Sequence, residues 1–351
     1  MTLVLMSPLT FLARPSRWLW AIHRHHGTLS AAPNFAYQLC VSRLTDNDLQ
    51  GLDLSSWRMA FNGAEQVSPQ TIRRFSERFK DYGLRPSAMA PVYGLAEAAV
   101  GLAFPPVNRG ALVDCVDREA LLSQGVARPA ARDASDTLEF VACGQSLPGY
   151  QIRVVQGGHE LPDRHEGRVQ FQGPSATSGY YHNPKASRGL FDGAWLDTGD
   201  LGYIADGDIY ITSRTKDLIV RGGRNIYPYE VEEAIGDLEG VRKGCVAMFG
   251  GIDPQAGTER VVVVAETRET DEVVLGGLRQ AGMEVATRLL GMPPDEIILA
   301  PPHTVLKTSS GKIRRSAVRE LYERGDLGQG SRAVWWQFTR LALASIGPHL
   351  R

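Results

Sequence analysis

The stretch from Trp57 to Gly94 constrains the fold more than any other part of the chain. Trp57 to Phe61 is a short strand-like run that stops at Asn62, Gly63, Ala64 and Glu65. Ser68 and Pro69 then suit the N-cap and first position of a helix: a Ser side chain accepts from the orphan N–H groups of the first turn, and Pro lacks the N–H that would go unpaired. Ile72, Phe75 and Phe79 recur at helical spacing and supply a buried stripe. Another short run ends at Tyr93 and Gly94. Strand, glycine turn, helix and strand is the rhythm of α/β architecture, whose ligands sit at the carboxyl ends of the strands.

The 351 residues fit about two domains and can bury a sizeable core. Thr2 to Met6 reads as a core strand, an unusual opening that predicts a missing piece upstream. Trp18 and Ile22 suit a helix with one apolar face, ending in the solvated cluster His23, Arg24, His25, His26, whose neighbouring side chains diverge too much to share a metal. A second helix is expected from Pro33 to Arg43, with Phe35 and Leu39 on its apolar side. From 107 to 140 the apolar periodicity fades, which predicts an insertion or elaborated loop with one short helix at Arg118 to Leu122.

Gln151 to Val155, Gly167 to Phe171 and Asp208 to Thr212 alternate as antiparallel strands of a small β unit. Beyond Lys216 the pattern changes: a strand at Leu218 to Val220, a turn at Gly222 and Gly223, a helix from Pro228 carrying Val231, Ile235 and Leu238, strands at Val246 to Phe249 and Val261 to Ala265, and a long helix from Asp271 to Leu290. That is a compact α+β unit.

Composition excludes several classes. A net charge of −1 provides no global field for nucleic acid or anionic membrane, although 301 to 351 hold nine Lys or Arg against three acidic residues. Cys40, Cys115, Cys143 and Cys245 show no paired spacing and read as buried, reduced thiols of a cytoplasmic protein. The apolar start lacks a basic leader, and no run approaches the ~18 apolar residues of a spanning helix.

Four stations carry chemistry. At Asn62 to Glu65 a glycine lets the backbone approach a planar ligand, although alone such a turn is most often only a turn. At Tyr93, Gly94, Leu95, Ala96, Glu97 an aromatic face suits a base and a carboxylate suits a hard cation such as magnesium. At Trp195 to Asp200 a carboxylate sits beside a Gly turn, with Arg214 following; a carboxylate accepts ribose hydroxyl protons and a guanidinium pairs with phosphate or ribose oxygens. At Lys307 to Arg315 a polar glycine loop presents a lysine that can stabilise charge developing in phosphoryl or acyl transfer.

Together these stations resemble the adenylate-forming enzymes, the superfamily of acyl-CoA synthetases, luciferases and peptide-synthetase adenylation domains. Asp197 to Asp200, Arg214 to Asp217 and Lys307 to Lys312 match its late core motifs in order and spacing. Within it the chain is most similar to fatty acyl-AMP ligases and long-chain acyl-CoA synthetases, on Ala32 to Tyr37, Phe61 to Glu65 and Tyr93 to Ala98. Leu112 to Pro129 also resembles the insertion that this branch associates with acyl-AMP production.

The resemblance implies a partial large α/β domain with a small β unit over 1–214 (insertion about 107–140), a small C-terminal α+β domain over 215–325, and a helix or tail over 326–351. It implies ATP and AMP binding by Asn62, Gly63, Ala64, Glu65, Tyr93, Gly94, Leu95, Asp200 and Arg214, with Tyr93 stacked on adenine and Asp200 holding the ribose. Glu97 would coordinate Mg2+, Lys216 would be the interdomain hinge, and Lys312 would be the catalytic lysine.

The implied reaction activates a fatty acid to acyl-adenylate and pyrophosphate, for transfer to an acyl carrier protein in polyketide or complex lipid synthesis. The basic 301–351 segment suits an acidic carrier, or a helix packed on the small domain. The family's upstream Ser/Thr/Gly-rich ATP loop and His-containing segment have no counterpart here, so activity of the chain alone is expected to be impaired. Tyr229 and Glu230 after Pro228 follow the CoA-ligase pattern and keep CoA open as acceptor. A non-catalytic fragment, or a subunit completed by a separate upstream half, is the third alternative.

Overall fold

A computed structural model describes residues 2–132, 134, 136–221, 224–252, 259–308 and 312–327. The turn expected at Gly222 and Gly223, the loop residues Ser309, Ser310 and Gly311, and the tail from residue 328 onward lie outside the described residues. The chain forms two compact units, Met1–Lys216 and Asp217–Arg351.

The first unit opens with helices α1 (Pro8–Ala13) and α2 (Ser16–His25). The strand expected at Thr2–Met6 does not form; Leu3, Val4 and Leu5 are exposed, and an apolar run with no partner strand has no ladder to join. Strand β1 (Leu29–Ala32), helices α3 (Asn34–Arg43) and α4 (Asp46–Leu49), strand β2 (Met59–Asn62), helix α5 (Pro69–Phe79) and strand β3 (Met89–Pro91) follow. β1, β2 and β3 pair in parallel in that order. Ser68 caps α5 by accepting from the Thr71 N–H at 3.2 Å, and Ile72, Phe75 and Phe79 are buried as expected.

On α3 the buried residues are Asn34, Ala36, Tyr37 and Cys40, so the buried face is turned away from Phe35 and Leu39, which are only half-buried. Trp57 is fully buried at the centre of the core, edge-on to Trp18 at 5.4 Å and Phe75 at 6.2 Å. Ring contacts of this kind add about 1 kcal/mol each to the burial of their apolar area.

The rest of the unit is antiparallel. Strand β4 (Ala103–Phe104) precedes β5 (Val113–Asp117), helix α6 (Arg118–Gln124), β6 (Thr137–Val141) and β7 (Gln145–Ser146). The 107–140 stretch is thus not a loop: β5 and β6 pair antiparallel around α6, which Asp117 caps by accepting from the Ala120 N–H at 2.7 Å. Its periodicity fades because the two ladder strands are short and separated by 19 residues of other structure.

Strands β8 (Gln151–Gln156), β9 (His159–Glu160) and β10 (Gly167–Gln172), helix α7 (Pro184–Leu190) and strands β11 (Phe191–Asp192), β12 (Trp195–Ala205) and β13 (Asp208–Arg214) complete a six-stranded sheet, ordered β11-β12-β10-β8-β9 with β13 on β12. Trp195–Asp200, expected to end at a Gly turn, is the first half of β12. Its glycine, Gly199, sits at φ +74° inside a bulge instead. Arg168 pairs with Leu201 but Gln170 with Asp197, so Thr198, Gly199 and Asp200 face Val169.

The second unit begins with the hairpin of β14 (Ile219–Arg221) and β15 (Arg224–Ile226), followed by α8 (Pro228–Gly236), β16 (Val241–Ile252), β17 (Glu259–Thr267), α9 (Glu272–Leu290), β18 (Glu296–Ala300) and α10 (Arg315–Glu323). β17 is central, antiparallel to β16 and parallel to β18. Its run Val261 to Val264 is fully buried because both faces are covered: Val261 and Val263 pack with Val231 and Ile235 of α8, while Val262 and Val264 pack with Val318 of α10. The four cysteines are free and buried. No described helix is long and apolar enough to cross a membrane.

Candidate active site

In the first unit the candidate residues gather where β2, β3 and β13 end and where β12 bulges. The turn Asn62 to Glu65 leaves β2 on a backbone that only glycine permits, since a Cβ on Gly63 would lie 2.7 Å from the Val92 carbonyl oxygen. Ala64 takes the left-handed region at φ +68°. Glu65 turns back to the start of α3, where one of its carboxylate oxygens accepts from the Phe35 N–H at 2.6 Å, a favourable site for negative charge.

Asn62 is fully buried and donates to Asn34 Oδ1 at 3.2 Å; that same oxygen accepts from the Ser68 N–H at 3.2 Å. Asn62 Oδ1 is buried without a hydrogen-bond partner. The turn is therefore knitted into the entry of two helices. Gln66 extends it to β13 through a 3.3 Å bond from its side-chain amide to the Thr212 carbonyl.

The second turn is a closed loop. The Tyr93 N–H donates to Ala103 O at 3.0 Å, and the Ala103 N–H returns to Tyr93 O at 2.9 Å. A Cβ on Gly94 would lie 1.6 Å from Val100 O, so the loop crosses itself only because position 94 has no side chain. Ala99 and Val100 are both left-handed, at φ +50° and +83°. Glu97 projects from this loop in a short turn, Ala96–Ala98.

Three hydrogen bonds clasp that turn from the 173–181 segment: Thr177 N–H to Glu97 O at 2.8 Å, Ser175 Oγ to Ala98 O at 2.7 Å, and Tyr180 Oη to Glu97 Oε1 at 2.6 Å. The bond to Glu97, with some burial, pushes the Tyr180 hydroxyl up to about 12. Tyr180 and its segment were not anticipated from the sequence. The available signal was the turn-rich run Gly173 to Tyr181, which carries two adjacent tyrosines outside any helical or strand period.

Tyr93, Asp200 and Arg214 meet. The Tyr93 hydroxyl donates to Asp200 Oδ2 at 2.6 Å, and Arg214 Nε lies 3.4 Å from Asp200 Oδ1. Burial, then the negative charge of Asp200, holds the Tyr93 hydroxyl far above the usual phenol range. The bulge places Asp200: Asp197 accepts from the Gly199 N–H at 2.8 Å while holding Arg168 at 2.7 Å, and Asp200 and Arg214 are direct partners across β12 and β13. Asp200 is nearly buried, while the Arg214 side chain is half exposed, so this corner has a neutral donor behind it and a cation in front. A carboxylate so placed can accept hydrogen bonds from the hydroxyls of a sugar.

Lys216, two residues beyond β13, is exposed. Lys312 belongs to the second unit, on an arch closed by Thr308 N–H to Lys312 O at 2.9 Å, Lys312 N–H to Thr308 Oγ1 at 3.1 Å and Arg314 N–H to Leu306 O at 2.9 Å. The arch's other lysine, Lys307, is engaged differently, with Nζ 3.3 Å from Cys245 Sγ. Among the described residues no group of three or more His, Cys, Asp or Glu could hold a metal ion.

Comparison with known proteins places the chain. Residues 1–181 match the family model described as AMP-binding enzyme. The long-chain-fatty-acid–AMP ligase of Mycobacterium bovis is 37% identical over 339 residues, 91% of this chain and 57% of that protein. The 4-hydroxyphenylalkanoate adenylyltransferase of Mycobacterium tuberculosis is 36% identical over 341 residues, 92% of this chain and 54% of its own length. A solved structure from work on fatty acyl-adenylate ligases of E. coli and L. pneumophila superposes with a TM-score of 0.84 at 35% identity, covering 90% of this chain and 56% of that one. The chain thus spans a little over half the length of these relatives. On that match, and on the α/β fold and loop geometry that go with it, the chain belongs to the AMP-binding enzyme family.

Proposed function

We propose that this chain carries the nucleotide corner and small domain of a fatty acyl-AMP ligase. The observation that supports this most directly is the meeting of Tyr93, Asp200 and Arg214 beside the closed Glu97 loop. In this reading Asp200 accepts the ribose hydroxyls, Arg214 pairs with a neighbouring oxygen, and Tyr93 with the 62–65 backbone flanks the adenine. The fatty acid carboxylate attacks the α-phosphorus of ATP, the bond to pyrophosphate breaks, and acyl-adenylate forms. Lys312 offsets negative charge on both partners in that step, and Lys216 is the hinge of the small domain. Such chemistry is mostly positioning and charge stabilisation.

Glu97 fits Mg2+ as a single protein carboxylate, because that ion keeps several waters and takes its remaining ligands from substrate phosphates. Bound there, the ion would neutralise phosphate charge. Tyr180 would then orient the carboxylate through one oxygen and leave the other to the ion.

A carrier-protein thiol then attacks the acyl carbon, the bond to phosphate breaks and AMP leaves; the Tyr229–Glu230 pair after Pro228 favours CoA as the second reading. Four buried, unpaired thiols support a cytoplasmic location. The test is ATP–pyrophosphate exchange by the chain with a panel of fatty acids and Mg2+. In the full-length context, with the half that the relatives possess, exchange lost in Lys312→Ala with nucleotide binding intact is the expected outcome, and exchange unchanged in that variant overturns the role of Lys312. Exchange seen only after adding the half that the relatives possess makes this chain one part of the enzyme.

A further inference from the structure

Arg315 is the first residue of α10, and all three nitrogens of its guanidinium donate. Nε donates to Glu232 Oε1 at 2.7 Å, one terminal nitrogen to Glu232 Oε2 at 2.6 Å, and the other to Asp217 Oδ2 at 2.8 Å. Glu232 Oε1 also accepts from the Met248 N–H on β16 at 2.8 Å. One side chain thus joins the segment that enters the second unit, α8, the central sheet and the start of α10. Its charge is well shielded, with 19% of the Arg315 side chain exposed against 5% for Glu232 and 13% for Asp217.

Buried ion clusters of this kind are weak evidence for stability, since apolar side chains of similar volume often serve as well. What a guanidinium adds is direction: its planar fork fixes two carboxylates at a set angle, which an ammonium does not. Arg315 lies three residues after Lys312, and the arch that presents Lys312 is laddered up to Arg314. The arch is therefore held at its entry by Lys307 against Cys245 and at its exit by Arg315.

We propose that Arg315 is a positioning residue for Lys312, tying the direction of the lysine to Asp217, the residue after Lys216. The proposal rests on the reading of Lys312 as the lysine of the adenylation step, but its first test does not depend on activity. Brief modification of the intact chain with an amine-reactive acetylating reagent, read by peptide mass spectrometry, gives the rate at Lys312 relative to exposed Lys185 in the first unit.

In Arg315→Lys, which keeps the charge but loses the fork, thermal unfolding is expected below that of the parent, with the fold kept. The relative rate at Lys312 is expected to change by about threefold, the size expected between coupled neighbours. Asp217→Asn, which leaves both contacts to Glu232, should change it in the same direction but less, and it carries the test if Arg315→Lys does not fold. An unchanged Lys312 rate in a folded variant overturns the proposal. Pyrophosphate exchange is then compared. A changed labelling rate in Arg315→Lys, with exchange indifferent to Lys312→Ala, would leave the coupling standing and remove the catalytic reading.

Discussion

The candidate site holds two of its carboxylates in one way, and the C-terminal unit holds three of its own in the opposite way. At the candidate site, Asp200 and Glu97 are each held by a tyrosine hydroxyl, from Tyr93 and Tyr180 at 2.6 Å, and the arginine beside Asp200 stands off at 3.4 Å. In the C-terminal unit Glu232, Glu266 and Asp295 are each claimed by a guanidinium, from Arg315, Arg242 and Arg221. A neutral donor orients a carboxylate without cancelling its charge, leaving lone pairs and field for a ligand. A guanidinium saturates both, and what remains is architecture.

This contrast orders the effects of substitution. Glu232→Gln strips a charge from Arg315 and should destabilise the chain by about 3 kcal/mol in urea unfolding, as the loss of one partner from a buried ion cluster does. Tyr93→Phe leaves Asp200 Oδ2 without its neutral donor. It should cost about 1–2 kcal/mol by the same measurement and should also weaken AMP binding in calorimetry; a loss equal to that of Glu232→Gln would erase the distinction.

Smaller again is the alkaline effect of Tyr180. Its hydroxyl ionises near 12 in the fold against 10.0 for a free phenol, so the folded state holds the proton longer. The stability this gives is complete below pH 10 and lost as pH rises to about 12. Thermal unfolding of Tyr180→Phe should accordingly fall less steeply than the parent's across that window. Arg214→Gln, at a half-exposed side chain, should change stability by less than about 0.5 kcal/mol, and only a loss of nucleotide affinity would reveal it.

The elements legible in the sequence were those whose signal is local. Ser68 and Pro69 announce α5 through capping chemistry, and the Val261 to Val264 run announces a strand covered on both faces. What escaped depends on partners distant in the chain. Thr2 to Met6 has a strand's composition but no ladder to join, and β5 with β6 forms a pair only because Val113 finds Val141 across an inserted helix. Asp200 and Tyr93 could be proposed from their motifs, whereas their hydrogen bond spans 107 residues. Tyr180 reaches Glu97 across 83, and the turn-rich run around it marks an irregular segment without naming that partner.

The bulge in β12 also makes that strand a counting device. Upstream of Thr198 its side chains keep step with Gln170 and Phe171, and from Leu201 onward they keep step with Gly167 and Arg168. Because alternation has a period of two, losing or gaining one residue between Asp197 and Leu201 would invert one half of the strand relative to the sheet. Against β13 the same strand slips by a single residue between Leu201 and Gly202, so its two neighbours are kept in step by two separate corrections placed side by side.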